Sequence, residues 1–245
     1  MGAHREASVV KEYALYLESG PRRRKTMVHV LDLLGCIAQG QTTEAALDAA
    51  PEAIRTYLRF LRQHGETVKP NERFTTVVAA HITEGVWLGY GDPTPGFAPD
   101  FQPLDADNLN VYLRRLAWLR ADLLELIRDV PRKRLVAERK GGGRSIYQIL
   151  DHIAGSECVY LRYFAGKVDG LTDALRAVQQ SPDDLPAALT RVWQISAARL
   201  ETLSAAERQQ HVKHGQVTWT ARRALRRMLE HDWEHLLELR ESFKL

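Results

Sequence analysis

The sequence is short of cysteine, of net charge and of long apolar runs. Cys36 and Cys158 are the only cysteines among 245 residues, and they have no zinc-type spacing. Two lone thiols so far apart make no disulfide framework, and a reducing cytoplasm is the expected compartment. No stretch approaches ~20 consecutive apolar residues, and the opening MGAHREASVV carries no apolar h-region. The expectation is a cytoplasmic protein that neither crosses a membrane nor is secreted. The 34 Lys and Arg against 31 Asp and Glu leave a net charge of only +3. Nothing in that balance asks for a nucleic-acid or membrane partner. The two basic clusters, PRRRK from Pro21 and RRALRR from Arg222, read as a turn and a solvated helix face.

What is present is an ordinary globular composition, 44% hydrophobic and 27% charged, in a length suited to one large or two ordinary domains. The first part alternates between strand and helix patterns. KEYALYLESG reads as a strand with Tyr13, Leu15 and Leu17 on one face. Pro21 sets a turn. TMVHVLDLLGCIAQG carries two further strands, with Gly35 at the reversal between them. From Thr42 or Thr43 a helix runs toward Gly65, with apolar residues at helical spacing and Pro51 expected to bend or split it. RFTTVVAAHITEGVWLGYG returns to strand. The unit is β-β-β-α-β, an α+β domain over residues 1–92.

Within it, Leu31 to Glu66 resembles the HicB-like family. Asp32, Gly35, Cys36, Gly40, Thr42, Glu44, Ala45, Glu52, Ala53 and Ile54 match the family pattern; Leu31 and Leu34 replace its turn prolines, and Gln41 its Asp. The resemblance implies an interaction module of the kind found in toxin–antitoxin pairs. No separate DNA-binding segment stands beside it, so DNA binding is not carried over.

Residues 93–108, rich in Pro, Gly and Asp, read as a linker. From 109 to 245 every ordered segment reads as helical. Helix one runs from about Leu109 to Val130 and stops at Pro131. Helix two follows GGGRS. Helix three opens at SPDD, with Ser181 as cap and Pro182 in the first turn. Helix four starts near Thr218 or Thr220. Four amphipathic stripes of similar length imply an all-α four-helix bundle.

At ~100° per residue, His235 falls inside the apolar stripe of the last helix and His231 on its flank, while the solvent face goes to Arg222, Arg226 and Leu237. On helix two, Glu157 falls inside the stripe and His152 at its edge. Polar groups placed there need partners. Mutual hydrogen bonds are one solution, and a metal held by neutral imidazoles is the other. The His231–His235 spacing alone is a weak signal. His29, His64, His81, His211 and His214 read as incidental, although His211 and His214 precede helix four and could approach the site. Trp193, Trp219 and Trp233 read as packing aromatics, with Tyr160 and Trp233 as candidates to shape a pocket. Cys158 points away from the core.

The segments SIYQILDHIAGSECVYLRYF and VTWTARRALRRMLEHDWEHLLEL resemble the DinB-like superfamily of metal-binding four-helix bundles. The first carries the family's helix-two His followed by a Glu, and the second its His-x-x-x-His pair after a Thr-rich start. The resemblance implies a divalent metal, Zn or Ni ahead of Mn or Fe, on His152, His231 and His235. It implies a small-molecule substrate, with a low-molecular-weight thiol as one candidate, and a thiol-dependent transferase or hydrolase. Glu157 is then a candidate to accept a hydrogen bond from a ligand histidine or to act as general base, with a carboxylate in a buried ion pair as the alternative. Asp232 could orient a His or pair with Arg120. The competing reading is a non-enzymatic module that docks a partner through the HicB-like domain. A homodimer is compatible with either.

Overall fold

The computed structural model of the chain describes residues 10–85, 87–91, 94–139, 141–180 and 182–244. Nearly all of MGAHREASVV and the Ser181 cap lie outside the described residues. The chain divides into two compact units, Met1–Pro95 and Gly96–Leu245.

In the first unit, β1 (Lys11–Ser19), β2 (Arg24–His29), β3 (Ile37–Thr42), α1 (Thr43–Gln63) and β4 (Phe74–Ile82) follow in that order. The sheet order is β3-β2-β1-β4. β1 and β2 are antiparallel, as are β2 and β3, while β4 lies parallel to β1. A parallel return needs a crossover, and α1 provides it by carrying the chain from one edge of the sheet to the other. Tyr13, Leu15 and Leu17 are buried, as their alternation requires. The turn before β3 places Gly35 at φ 106°, a left-handed conformation that suits glycine. At Gly40 a Cβ would lie 2.2 Å from the Ala46 backbone nitrogen, so only glycine lets β3 end this close to α1. Thr42 caps α1 by accepting from the Ala45 N–H. α1 is not split at Pro51 and runs through it as one helix. Its buried side, including Ala46, Ala50, Ile54 and Leu61, packs on β2 and β3. Tyr57 donates its hydroxyl hydrogen to the Leu34 carbonyl at 2.8 Å.

The second unit holds α2 (Ala106–Ile127), α3 (Arg132–Leu135), α4 (Ile146–Ala165), α5 (Leu171–Gln180), α6 (Leu185–Glu201), α7 (Ala205–Gln209), the strands β5 (Val212–His214) and β6 (Val217–Trp219), and α8 (Ala221–Phe243). The four long helices are those expected. α2 touches α8 and α6, and α4 touches α8 and α6, so the four close into a ring. The expectation of four helices and nothing else is corrected by the short helices α3, α5 and α7, a strand hairpin and a 3-10 turn. α5 packs against α4 and α6; its buried residues are only Leu171, Ala174 and Val178, too little pattern to stand out in ten residues that depend on packing to be helical. β5 and β6 pair as an antiparallel hairpin of three-residue strands. Helix three opens with a 3-10 turn, Pro182–Asp184, before α6.

The remaining correction is energetic. The RRALRR cluster is not a solvated face, because Arg223, Arg226 and Arg227 are all buried. The cause lies in the stretch read as linker. Its 3-10 turn, Ala98–Phe101, packs on α8. Asp100, itself buried, accepts from Arg226 Nε at 2.7 Å. Glu230, also buried, accepts from Arg226 at 3.0 Å and from Arg227 at 3.2 Å. Thr220 caps α8 and donates its hydroxyl to the Asp100 carbonyl. No described helix is long and apolar enough to cross a membrane.

Candidate metal centre

α4 begins at a capping box. The Ser145 hydroxyl accepts from Gln148 N–H, and the Gln148 side chain accepts from Ser145 N–H. Two turns later it presents His152. α8 presents His231 and His235 one turn apart, and the contact between α4 and α8 brings all three together. His231 and His235 are buried, while His152 sits open at the rim. His231 Nε2 lies 3.0 Å from His152 Nε2 and 3.2 Å from His235 Nε2. One ligand atom from each residue falls within 4.8 Å of the others.

Two facts separate a metal site from a hydrogen-bonded trio. His235 Nδ1 is 2.6 Å from Glu238 Oε2; donating there leaves the Nε2 of a neutral ring as a bare lone pair. His231 Nε2 serves both short contacts, yet a single ring nitrogen has either one proton or one lone pair and could complement two partners only through a shared, weaker three-centre bond. Three nitrogens bonded at 2.0–2.1 Å to a tetrahedral cation would stand roughly 3.3–3.4 Å apart, close to the spacings found. The residues therefore fit a divalent cation.

Their electrostatics agree. Burial, then the charges of Arg144 and His235, hold His152 down to about 4, with Glu238 pulling weakly upward. Burial first, then His235, His152, Arg227 and Arg144, hold His231 well below its ordinary value. Both rings are neutral near pH 7 and have lone pairs to offer. The hydrogen bond from His235 draws the Glu238 carboxyl below the usual range, against the effect of burial. Arg144, from the loop before α4, approaches the same Glu238 oxygen at 3.4 Å.

A family model described as the DinB superfamily matches residues 115–239, a little over half of the chain. The chain belongs to the DinB superfamily. No curated protein and no solved structure matches it. In this DinB-superfamily chain the matched span runs from within α2 to near the end of α8, and it holds all three histidines and Glu238.

Glu157 and Asp232 stand elsewhere. Both are buried against Arg120, whose Nη2 is 2.7 Å from Glu157 Oε1 and whose Nε is 3.6 Å from Asp232 Oδ2. The Arg120 guanidinium also lies over the Trp193 ring at 5.7 Å. Burial raises both carboxyls while Arg120 opposes it, and Glu157 adds to the rise at Asp232. Two carboxylates share one guanidinium inside the helices. The expected partnership of Asp232 with Arg120 is present, but the carboxylate on a site histidine is Glu238. Sequence reasoning missed it, although its signal was there: His-x-x-Glu puts Glu238 three residues past His235 on the same helix face.

Other expected residues fall around the site. Tyr160 meets the His231 ring edge-on at 6.2 Å and stacks on Trp219 at 5.8 Å. Trp193, Trp219 and Trp233 are buried packing groups. His214 packs on Tyr163, and His211 Nε2 is 3.1 Å from the Phe101 carbonyl, so neither joins the three-histidine cluster. In the first unit, His81 pairs with Ser19 at 2.7 Å and His29 faces Glu18 at 3.9 Å. Cys158 lines an outer cavity of about 290 Å³ with Val159 and Leu171. Burial, with the nearby Glu157 charge, pushes its thiol up to about 12, which makes it a poor nucleophile.

Proposed function

We propose that the chain is a metal-dependent enzyme in which His152, His231 and His235 hold one divalent cation, zinc or nickel ahead of manganese or iron. The observation that carries this reading is the convergence of three imidazoles, with His231 Nε2 at 3.0 and 3.2 Å from the Nε2 atoms of His152 and His235 and one ligand atom of each within 4.8 Å of the others. Three protein ligands leave a coordination position for a small molecule. When bound, the cation would lower the pKa of a thiol or water and supply a nucleophile at neutral pH. The reaction class that suits such a position is transfer to a low-molecular-weight thiol, or hydrolysis.

The chain's own residues have distinct tasks. Glu238 fixes the tautomer and tilt of His235. Tyr160 backs His231. Arg144, partly exposed beside the rim histidine, is placed to meet an anionic group on an incoming substrate. Glu157 and Asp232, closed in around Arg120, support the helices from within and leave the base role to another group. We read the four long helices as the four-helix bundle of the DinB type. We read the first unit as a HicB-like module, from its matching residues and its β-β-β-α-β order.

The test is elemental analysis of purified chain, with His231→Ala and His235→Ala as controls. About one divalent metal per chain is expected, lost in both variants. Failure to take up Zn, Ni, Mn or Fe at neutral pH would sink the reading. Metal without turnover on thiol-transfer or hydrolysis substrates would favour a non-enzymatic docking module.

A further inference from the structure

β4 is open on three sides. It stands at the end of the sheet order, so among the described residues only its β1 side is paired. Residues 75–79 are all exposed. Successive side chains in a strand point to opposite faces, so both faces of β4 are uncovered there. Val77 and Val78 are 44% and 47% exposed.

Natural edge strands are usually short, charged, bulged or broken by proline, because a long uncharged edge invites another strand. β4 is nine residues long, and FTTVVAAHI contains no charge, proline or glycine. Its one protective device is a bulge, where the register with β1 passes from Val78 to Ala80 and skips Ala79. The five residues before the bulge form a regular edge. The opposite edge, β3, is shorter and ends in the polar stretch QGQT.

We propose that residues 74–78 pair antiparallel with the same residues of a second copy of this chain, joining two four-stranded sheets into one. The chemistry selects this occupant. An uncharged strand laid antiparallel on itself meets no like charge. Centred on Thr76, the pairing sets Phe74 of each copy opposite Val78 of the other, Thr75 opposite Val77, and the two Thr76 residues opposite each other. Aromatic and β-branched residues facing across strands are favourable cross-strand pairs. The arrangement is isologous, so it closes at two copies and does not grow into a fibre. A five-residue edge buries less than the ~800 Å² per partner of a standard interface, so the dimer is one that dilution dissociates.

Light scattering on the full chain from about 10 to about 300 μM tests this, a range spanning weak association. The mass is expected to climb toward twice the 27.8 kDa of one chain. Thr76→Lys places like charges directly across the axis and is expected to hold the chain at one copy with an unchanged circular dichroism spectrum. Thr76→Cys is expected to form a covalent dimer on mild oxidation. Opposed Cα atoms in an antiparallel pair lie about 4.5–5.5 Å apart, within disulfide reach. Val77→Cys, opposed to Thr75, is expected to link far less. A wild-type chain that stays at one copy throughout would overturn the proposal. So would association that survives Thr76→Lys, or a chain that stays monomeric yet takes up an added β-strand peptide.

Discussion

His235 donates from Nδ1 to the carboxylate of Glu238 across 2.6 Å, three residues further along the same helix. That contact decides which nitrogen of His235 faces the other two imidazoles. Glu238→Gln keeps the shape but removes the charge. It is expected to weaken metal affinity about 10- to 100-fold with all three histidines in place. Competition against a chelating dye measures it, and wild-type affinity in the variant would show that packing alone orients the ring.

Arg120 pairs with the buried carboxylates of both Glu157 and Asp232. Arg120→Met leaves them uncompensated in the core, at a cost of about 3–5 kcal/mol. For a chain of this size that is a melting-temperature drop of roughly 6–20 °C. Adding Glu157→Gln and Asp232→Asn to that background is expected to recover most of the loss, since the uncompensated charge is then gone. Thermal denaturation of the three proteins decides it.

Asp100 holds the 3-10 turn onto α8 through Arg226. Asp100→Ala removes the acceptor of Arg226 Nε and is expected to cost about 1.5–3 kcal/mol, the range for a charge-assisted hydrogen bond. The loss should appear first as faster proteolytic cutting between residues 96 and 105. Equal protection of that stretch in the variant would mean that Phe97 and Leu104 anchor it without the ion pair.

Glu207 supplies the pH dependence. Its carboxylate accepts from Ser204 N–H and hydroxyl and pairs with Arg199. The Ser204 backbone hydrogen bond, then Arg199 and the Ser204 hydroxyl, hold its pKa down to about 2, from 4.5. A depressed carboxyl stabilises the fold above its unfolded pKa, and the contribution disappears as pH falls from about 4.5 to about 2. The side chain is 29% exposed, so solvent screening limits the effect to about 1 kcal/mol. Unfolding by urea at pH 5 and pH 3 should show a smaller difference in Glu207→Gln than in wild type, and equal slopes in the two would rule out this source.

The parts legible in the sequence were those written in periodicity. The strand alternation at Tyr13, Leu15 and Leu17, the cap at Thr42, and the long stripes of α2, α4, α6 and α8 all express local preferences. The wheel placed His235 inside and His152 at an edge, where they are found. Arg226 went wrong for a reason no wheel contains. Its burial depends on Asp100, 126 residues away, in a stretch whose Pro and Gly content resembles a linker. Glu157 faces inward as its helical position requires, and of its two readings the structure shows the buried ion pair, with Arg120 on α2. Glu238 was within reach of sequence reasoning, since its partner is three residues distant.

Two of the clustered imidazoles ride on one helix and the third on its neighbour. Sliding α4 along α8 by a single residue would displace His152 by about 1.5 Å, enough to take its nitrogen out of bonding range of a shared ion. The trio therefore works as a gauge of alignment between these two helices. A substitution deep in the packing, far from any imidazole, would announce itself as looser ion retention before the helices themselves gave way.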